Sequence, residues 1–218
     1  GSVVVRYAGT TDLADGGTEA DGTGTASGYR VHTFTSTASG QSFSLDVENF
    51  TASLTGVISG TGSLTADASA GELTISGAND YTGNTDITGG SVKVTNATSL
   101  GNRTAVSLSN VADTKLVLAN TAADAATNKL ELTIGSLAGG GTTGGNVTLG
   151  ANTILNVGDA ASDTTFGGVI SGDGALEKVN DSQLTLTNMS SFSGGTTVDG
   201  GTLWLGNAAN TNAGTIGG

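Results

Sequence analysis

Aliphatic residues recur two apart along most of this 218-residue chain, with polar or small residues between and around them. Leu184 and Leu186 bracket a threonine, Leu203 and Leu205 bracket a tryptophan, and Leu73 and Ile75 bracket another threonine. The same spacing returns at Val106–Leu108, Leu116–Leu118, Leu130–Leu132 and Val147–Leu149. Residues two apart share one face of an extended chain, so each triplet predicts a short strand with one buried side. Gly, Asn, Ser and Asp flank the triplets and predict turns between them. No segment carries a sustained helical stripe. Only the alanine-rich Thr121–Lys129 predicts a helical turn, carried on a loop.

The chain also repeats itself. Leu73–Asn96 aligns without a gap to Leu184–Asn207 at an offset of 111, with seven of 24 positions identical. Upstream, VISGTGSL (57–64) matches VISGDGAL (169–176) at an offset of 112. Inside each copy a shorter spacing appears. Leu184 and Leu186 return at an offset of 19 as Leu203 and Leu205, and Leu73 and Ile75 return as Val92 and Val94. Leu45 to Leu64 and Leu54 to Leu73 show the same interval. Short strands recurring at about 20 residues predict a solenoid, in which each repeat is one coil and inward residues of successive coils stack. Antiparallel sandwiches also use short strands and glycine turns but predict no such register. A propeller blade would need a period roughly twice as long. About nine coils are expected between residue 43 and the C-terminus, a rod of roughly 40 Å.

Glycine and proline sharpen this picture. Gly89-Gly90 and Gly200-Gly201 each precede an apolar run, where a sharp turn between faces of a coil favours positive φ. Proline is absent from the whole chain, as expected where nearly every backbone N–H is needed for ladders between coils.

At these residues a family resemblance enters. The stretch from Ile170 to Asn207 resembles the autotransporter-associated β-strand repeat of bacterial autotransporter passengers and other large surface proteins. Its matching residues are Gly174, Leu176 and Lys178, then Leu184–Leu186, Phe192–Val198 and Gly200–Leu203. The first copy departs at Asn84, at Asp86-Ile87, and in having no lysine after Leu64. The resemblance implies an all-β, right-handed parallel β-helix outside the cell. It implies no activity, because such repeats build stalks beneath diverse heads. The C-terminal membrane barrel of a complete autotransporter is absent, and the chain stops inside repeat-like NTNAGTIGG, so a fragment of a longer chain is expected. Its partners would be continuing coils of that chain and, further out, host-surface or matrix glycans.

Two domains are expected: residues 43–218 as the β-helix, and 1–42 as an N-terminal cap or the end of a neighbouring glycine-rich module. The alternation Tyr29–Thr35 supports strands in the latter. A cap is expected because a terminal coil exposes an unpaired sheet edge.

Composition then removes function classes. Seven basic residues, none clustered, against 19 acidic ones argue against nucleic acid. The acidic, Ser/Thr/Asn-rich surface suits an exported protein, extracellular or held at the bacterial surface. No stretch is long and apolar enough for a membrane helix. No signal peptide is visible, and the leading Gly1-Ser2 reads as an appended dipeptide, which places any export signal upstream. With no cysteine and His32 as the sole histidine, dedicated His/Cys zinc sites and cysteine nucleophiles are excluded, and no cofactor is expected. Asp12, Asp15, Glu19 and Asp21 lie close together in sequence and could gather calcium, but they lack the spacing of a calcium loop, and a solvated loop is the simpler reading. Asp159, Asp163, Asp173 and Asp181 read as turn residues. Trp204 is the candidate ligand-binding residue. Its repeat counterpart is Lys93, so it should face outward, where a tryptophan can stack on a sugar ring. The expected function is therefore a non-enzymatic structural segment of a displayed passenger or adhesin, with a polysaccharide-binding or polysaccharide-cleaving β-helix as the alternative.

Overall fold

A computed structural model of the chain describes the strands at 2–8, 18–21, 29–35 and 43–46, and residues 51–101, 103–122, 128–158 and 161–206. All regular secondary structure among them is β-strand. The first three strands, β1 (Ser2–Ala8), β2 (Thr18–Asp21) and β3 (Tyr29–Thr35), pair antiparallel in the order β2-β3-β1. From β4 (Phe43–Asp46) and β5 (Thr51–Leu54) onward, strands pair with one another in parallel. The two arrangements meet where Arg6 of β1 lies antiparallel to Ser53 of β5.

The parallel strands stack in columns. β4 and β5 both lie on the long β6 (Leu64–Ile75), which lies on the long β7 (Thr85–Val94). β7 then carries two shorter strands, β8 (Ala105–Leu108) and β9 (Lys115–Leu118). One column continues from β8 through β11 (Ser136–Gly139), β14 (Thr164–Phe166) and β17 (Gln183–Leu186) to β20 (Thr202–Leu205). Another runs from β9 through β12 (Asn146–Leu149) and β15 (Ile170–Gly172) to β18 (Ser191–Phe192). A third sheet begins with β10 (Leu130–Ile134) and adds β13 (Thr153–Val157), β16 (Ala175–Lys178) and β19 (Thr196–Val198). This is a β-solenoid of about seven turns. At ~4.8 Å per turn the stack is ~34 Å long.

Register follows from which face is apolar. Leu184 lies beside Leu203 and Leu186 beside Leu205, as Leu73 lies beside Val92 and Ile75 beside Val94. That interval fails elsewhere. Leu64 lies beside Phe43, Leu73 beside Ala52 and Ile75 beside Leu54, each pair at an offset of 21. Side chains alternate with period two, so a register displaced by two keeps the same face inward, and the sequence spacing alone cannot separate the two. Turns also lengthen. Ala105 lies beside Ser136 and Lys115 beside Asn146, both at an offset of 31, because both steps include the long connection between β9 and β10. That step, the 27 residues from Gly139 to Phe166 and the steps of 21 before them all exceed the 19-residue spacing, and the described residues make about seven turns. The helical turn expected at Thr121–Lys129 falls mainly on residues 123–127, outside the described residues.

Inside, aliphatic side chains form continuous files. Ala52, Leu73, Val92, Leu116, Val147 and Ile170 succeed one another along one ladder, all buried. Leu132, Leu155 and Leu176 form a second file on the third sheet. Each such side chain contributes on the order of 1.5–3 kcal/mol relative to leaving it in water.

Candidate functional site

The corners of the coils hold the chain's most constrained chemistry. Gly90 and Gly201 occupy matching corners of the two repeat copies with φ of 62° and 64°. A Cβ at Gly90 would lie 2.5 Å from the Ala68 carbonyl carbon, and one at Gly201 would lie 2.5 Å from the Asn180 oxygen. Their partners Gly89 and Gly200 have ordinary φ but are crowded by Asp67 Oδ1 and the Asn180 backbone. Backbone therefore blocks any side chain at Gly90, Gly200 and Gly201, whereas at Gly89 the nearest obstacle is the tip of the Asp67 side chain.

Asparagines tie one coil to the next at these corners. Asn79 is buried: its Oδ1 accepts from the Ile58 N–H at 2.7 Å and its Nδ2 donates to the Ser99 carbonyl at 2.5 Å. Asn146 Oδ1 accepts from the Val169 N–H at 2.9 Å. Asn110 Oδ1 accepts from the Thr143 and Gly144 N–H groups. These amides satisfy backbone groups that no strand ladder reaches.

Two buried polar groups distinguish the repeat copies. Tyr81 is buried in the first, its hydroxyl 2.5 Å from Thr85 Oγ1, which lies 3.3 Å from Thr104 Oγ1 one coil on. Burial pushes the Tyr81 phenol up to about 12, against the lowering effect of the Thr85 and Thr104 hydroxyls. In the second copy Phe192 replaces Tyr81, and Thr196 Oγ1, the counterpart of Thr85, is buried with no partner. Lys178 is fully buried in the second copy. Its ammonium donates to the Val179 carbonyl at 2.6 Å and the Asn180 carbonyl at 3.1 Å, and Gly158 leaves room for it. Desolvation lowers its pKa, opposed by the Asp181 and Asp163 carboxylates. Sequence reasoning placed Lys178 in the repeat motif but missed its burial. The Tyr/Phe difference, beside a shared threonine, was the available signal for the hydroxyl chain.

The outward face is plainer. Val92 and Val94 are buried while Lys93 between them faces out and pairs with Glu72 at 3.6 Å. Trp204 occupies the matching position, beside Thr185 of the preceding coil, and is 54% exposed. Leu203 and Leu205 pack against the core from the last coil. Tyr81 and Phe192 are both buried.

Two of the acidic turn candidates bridge coils. Asp163 accepts from the Gln183 N–H at 2.7 Å, and Asp173 accepts from the Ser193 hydroxyl at 3.2 Å, each bridging to the following coil. Asp12, Asp15 and Asp159 lie outside the described residues. Glu19 and Asp21 are placed by backbone alone on β2, where Glu19 opposes His32 of β3. Among the described residues no group of three or more His, Cys, Asp or Glu could hold a metal ion. No described helix is long and apolar enough to cross a membrane.

Parallel coils, aliphatic files and glycine corners define the class: a β-solenoid assembled from repeated coils. Residues 68–94 and 176–205 match the family model of the passenger-associated transport repeat, and the chain carries two copies of that repeat. Over 154 residues, 70% of the chain, it is 36% identical to the adhesin BmaC autotransporter of Brucella suis biovar 1 (strain 1330). That match spans 4% of the length of the curated relative. No solved structure matches the chain.

Proposed function

We propose that the chain is a non-enzymatic structural segment of a passenger or adhesin displayed at the bacterial surface, a rod that holds a functional head away from the cell. The observation that carries this reading is the unbroken inward file from Ala52 to Ile170, which commits the repeat's apolar residues to coil stacking. The two passenger-type repeats and the autotransporter relative support the address. We take residues 1–42 as an N-terminal cap, a reading supported by β1, whose Arg6 lies beside Ser53 of β5. Joined between an outer-membrane anchor and an epitope tag, the chain should carry the tag past the surface layer, where antibodies bind it on whole cells, and survive intact there. Retention of the tag inside the cell, or its exposure without added reach, would defeat the reading.

One observation favours a second reading. Trp204 presents an exposed indole beside Thr185, a surface suited to stacking on a sugar ring. Saturable binding to a glycan panel that disappears in Trp204→Ala would support a lectin. Turnover of any glycan would instead make the chain an enzyme.

A further inference from the structure

The two repeat copies make the same bonds from different faces of the solenoid. Thr82 N–H donates to the Gly60 carbonyl at 2.9 Å in the first copy, and Ser193 N–H donates to the Gly172 carbonyl at 2.8 Å in the second. Leu64 N–H donates to the Asn84 carbonyl, and Leu176 N–H to that of Gly195. Ile58 N–H donates to Asn79 Oδ1 at 2.7 Å, and Ile170 N–H donates to Ser190 Oγ at 3.2 Å. The turns agree as well: φ is 113° at Gly60 and 107° at Gly172. Each counterpart stands at the offset of 111 or 112 found in the sequence.

The seats nonetheless differ. Leu73 lies in the column that runs through Val92 and Leu116 to β12 and β15, whereas its counterpart Leu184 lies in the column of β8, β11 and β14. Leu64 belongs to that second column through Thr85 and Val106, whereas its counterpart Leu176 sits on the third sheet between Leu155 and Thr196. The counterparts of both long strands, β6 and β7, have thus moved back by one face. From Leu73 the chain makes four full turns, through Val92, Leu116 and Val147 to Ile170. It then crosses two more faces, β16 and β17, to reach Leu184. The interval between copies falls one face short of a whole number of turns.

We propose that the faces of this solenoid are interchangeable seats for the repeat, and that the stretch between copies is an indexing element. Each interval added or removed changes the length of the stack by ~22 Å and turns everything beyond it by one face. The physical basis is the direction of the bonds. All the matched pairs run between successive coils, along the axis, so they form wherever a coil lies beside its neighbour. Strands with an inward period of two find an aliphatic file on every face, because Ala52 to Ile170, Leu184 with Leu203, and Leu132 to Leu176 all supply one. The outward positions then point in different directions. Lys93 looks out beside Val117, whereas its counterpart Trp204 looks out beside Thr185 in another column, so a partner that reads one copy does not meet the other in line. This inference rests on the repeat comparison alone and does not depend on the displayed-rod reading.

Two enlarged forms of the full chain test this. In the first, residues 73–183 are repeated in tandem, so that Gln183 is followed by a second Leu73, which takes the seat of Leu184. In the second, the repeated stretch begins at Gly83, which inserts ten fewer residues and breaks the register. The first should keep the parent's ellipticity per residue, melt within about 5 °C of it and resist protease at the join. The second should be cut at the join and lose ellipticity per residue. A smaller exchange isolates the seat itself: SGANDYTGN (76–84) written in place of TNMSSFSGG (187–195) should leave the Tm within the same range. Cleavage of the first form at its join, equal resistance of the two forms, or loss of the fold on the smaller exchange would overturn the proposal.

Discussion

Tyr81 and Phe192 hold equivalent places in the two repeats, and one oxygen separates their consequences. Tyr81 gives Thr85 a partner, whereas Phe192 leaves Thr196 with none. Phe192→Tyr should therefore stabilise the protein by about 1 kcal/mol, read as a rise in Tm. A fall would mean that the second corner lacks room for the hydroxyl. Tyr81 also sets a pH dependence. Its phenol ionises near 12 in the folded state against 10.0 unfolded, so the unfolded chain sheds its proton first and stability declines as pH rises from 10 to 12. The full loss is on the order of 2–3 kcal/mol. Lys178 acts in the other direction, because its lowered pKa makes the folded state the first to lose a proton, and stability climbs as pH approaches the unfolded value of 10.5. Tyr81→Phe should cost about 1 kcal/mol at neutral pH and abolish the alkaline decline, as urea titrations from pH 8 to 11.5 would show.

Between strands, energy is concentrated on one face. Leu184 is buried between Thr164 and Leu203, and Leu184→Ala should cost about 2–5 kcal/mol. Lys93→Glu loses a half-exposed pair with Glu72 and should cost under about 1 kcal/mol. Similar losses in chemical denaturation for the two would contradict the facing. The same facing explains what could be read from residues alone. Leu-x-Leu spacing exposes strands and their buried side directly, and the duplication of Leu73–Asn96 as Leu184–Asn207 exposes the coil. The exact register was hidden, because Leu64 fits beside Phe43 or Leu45 equally well by polarity. The turn count was hidden too, since the long connection after β9 carries no apolar marker. Lys178 was the hardest to read. A lysine in a strand ordinarily signals solvent, and the carbonyls of Val179 and Asn180, with the nearby Asp181 and Asp163 carboxylates, make its burial tolerable.

At the scale of the whole molecule, every parallel strand pairing among the described residues joins a coil to an adjacent one, so stability accrues interface by interface along one continuous core. The absence of cysteine leaves those interfaces without covalent reinforcement. Pulled by its two ends in an optical trap, such a chain should unwind like thread from a spool, one winding at a time. The windings are unequal: the step from Ala105 to Ser136 takes up more chain than the step from Leu184 to Leu203. At ~3.5 Å per residue the shorter winding releases ~65 Å of slack and the longer ~110 Å. The longest increment would mark the β9–β10 connection on every trace, beside an intermediate one for the 27 residues from Gly139 to Phe166. A rupture in one event would show that the windings yield together.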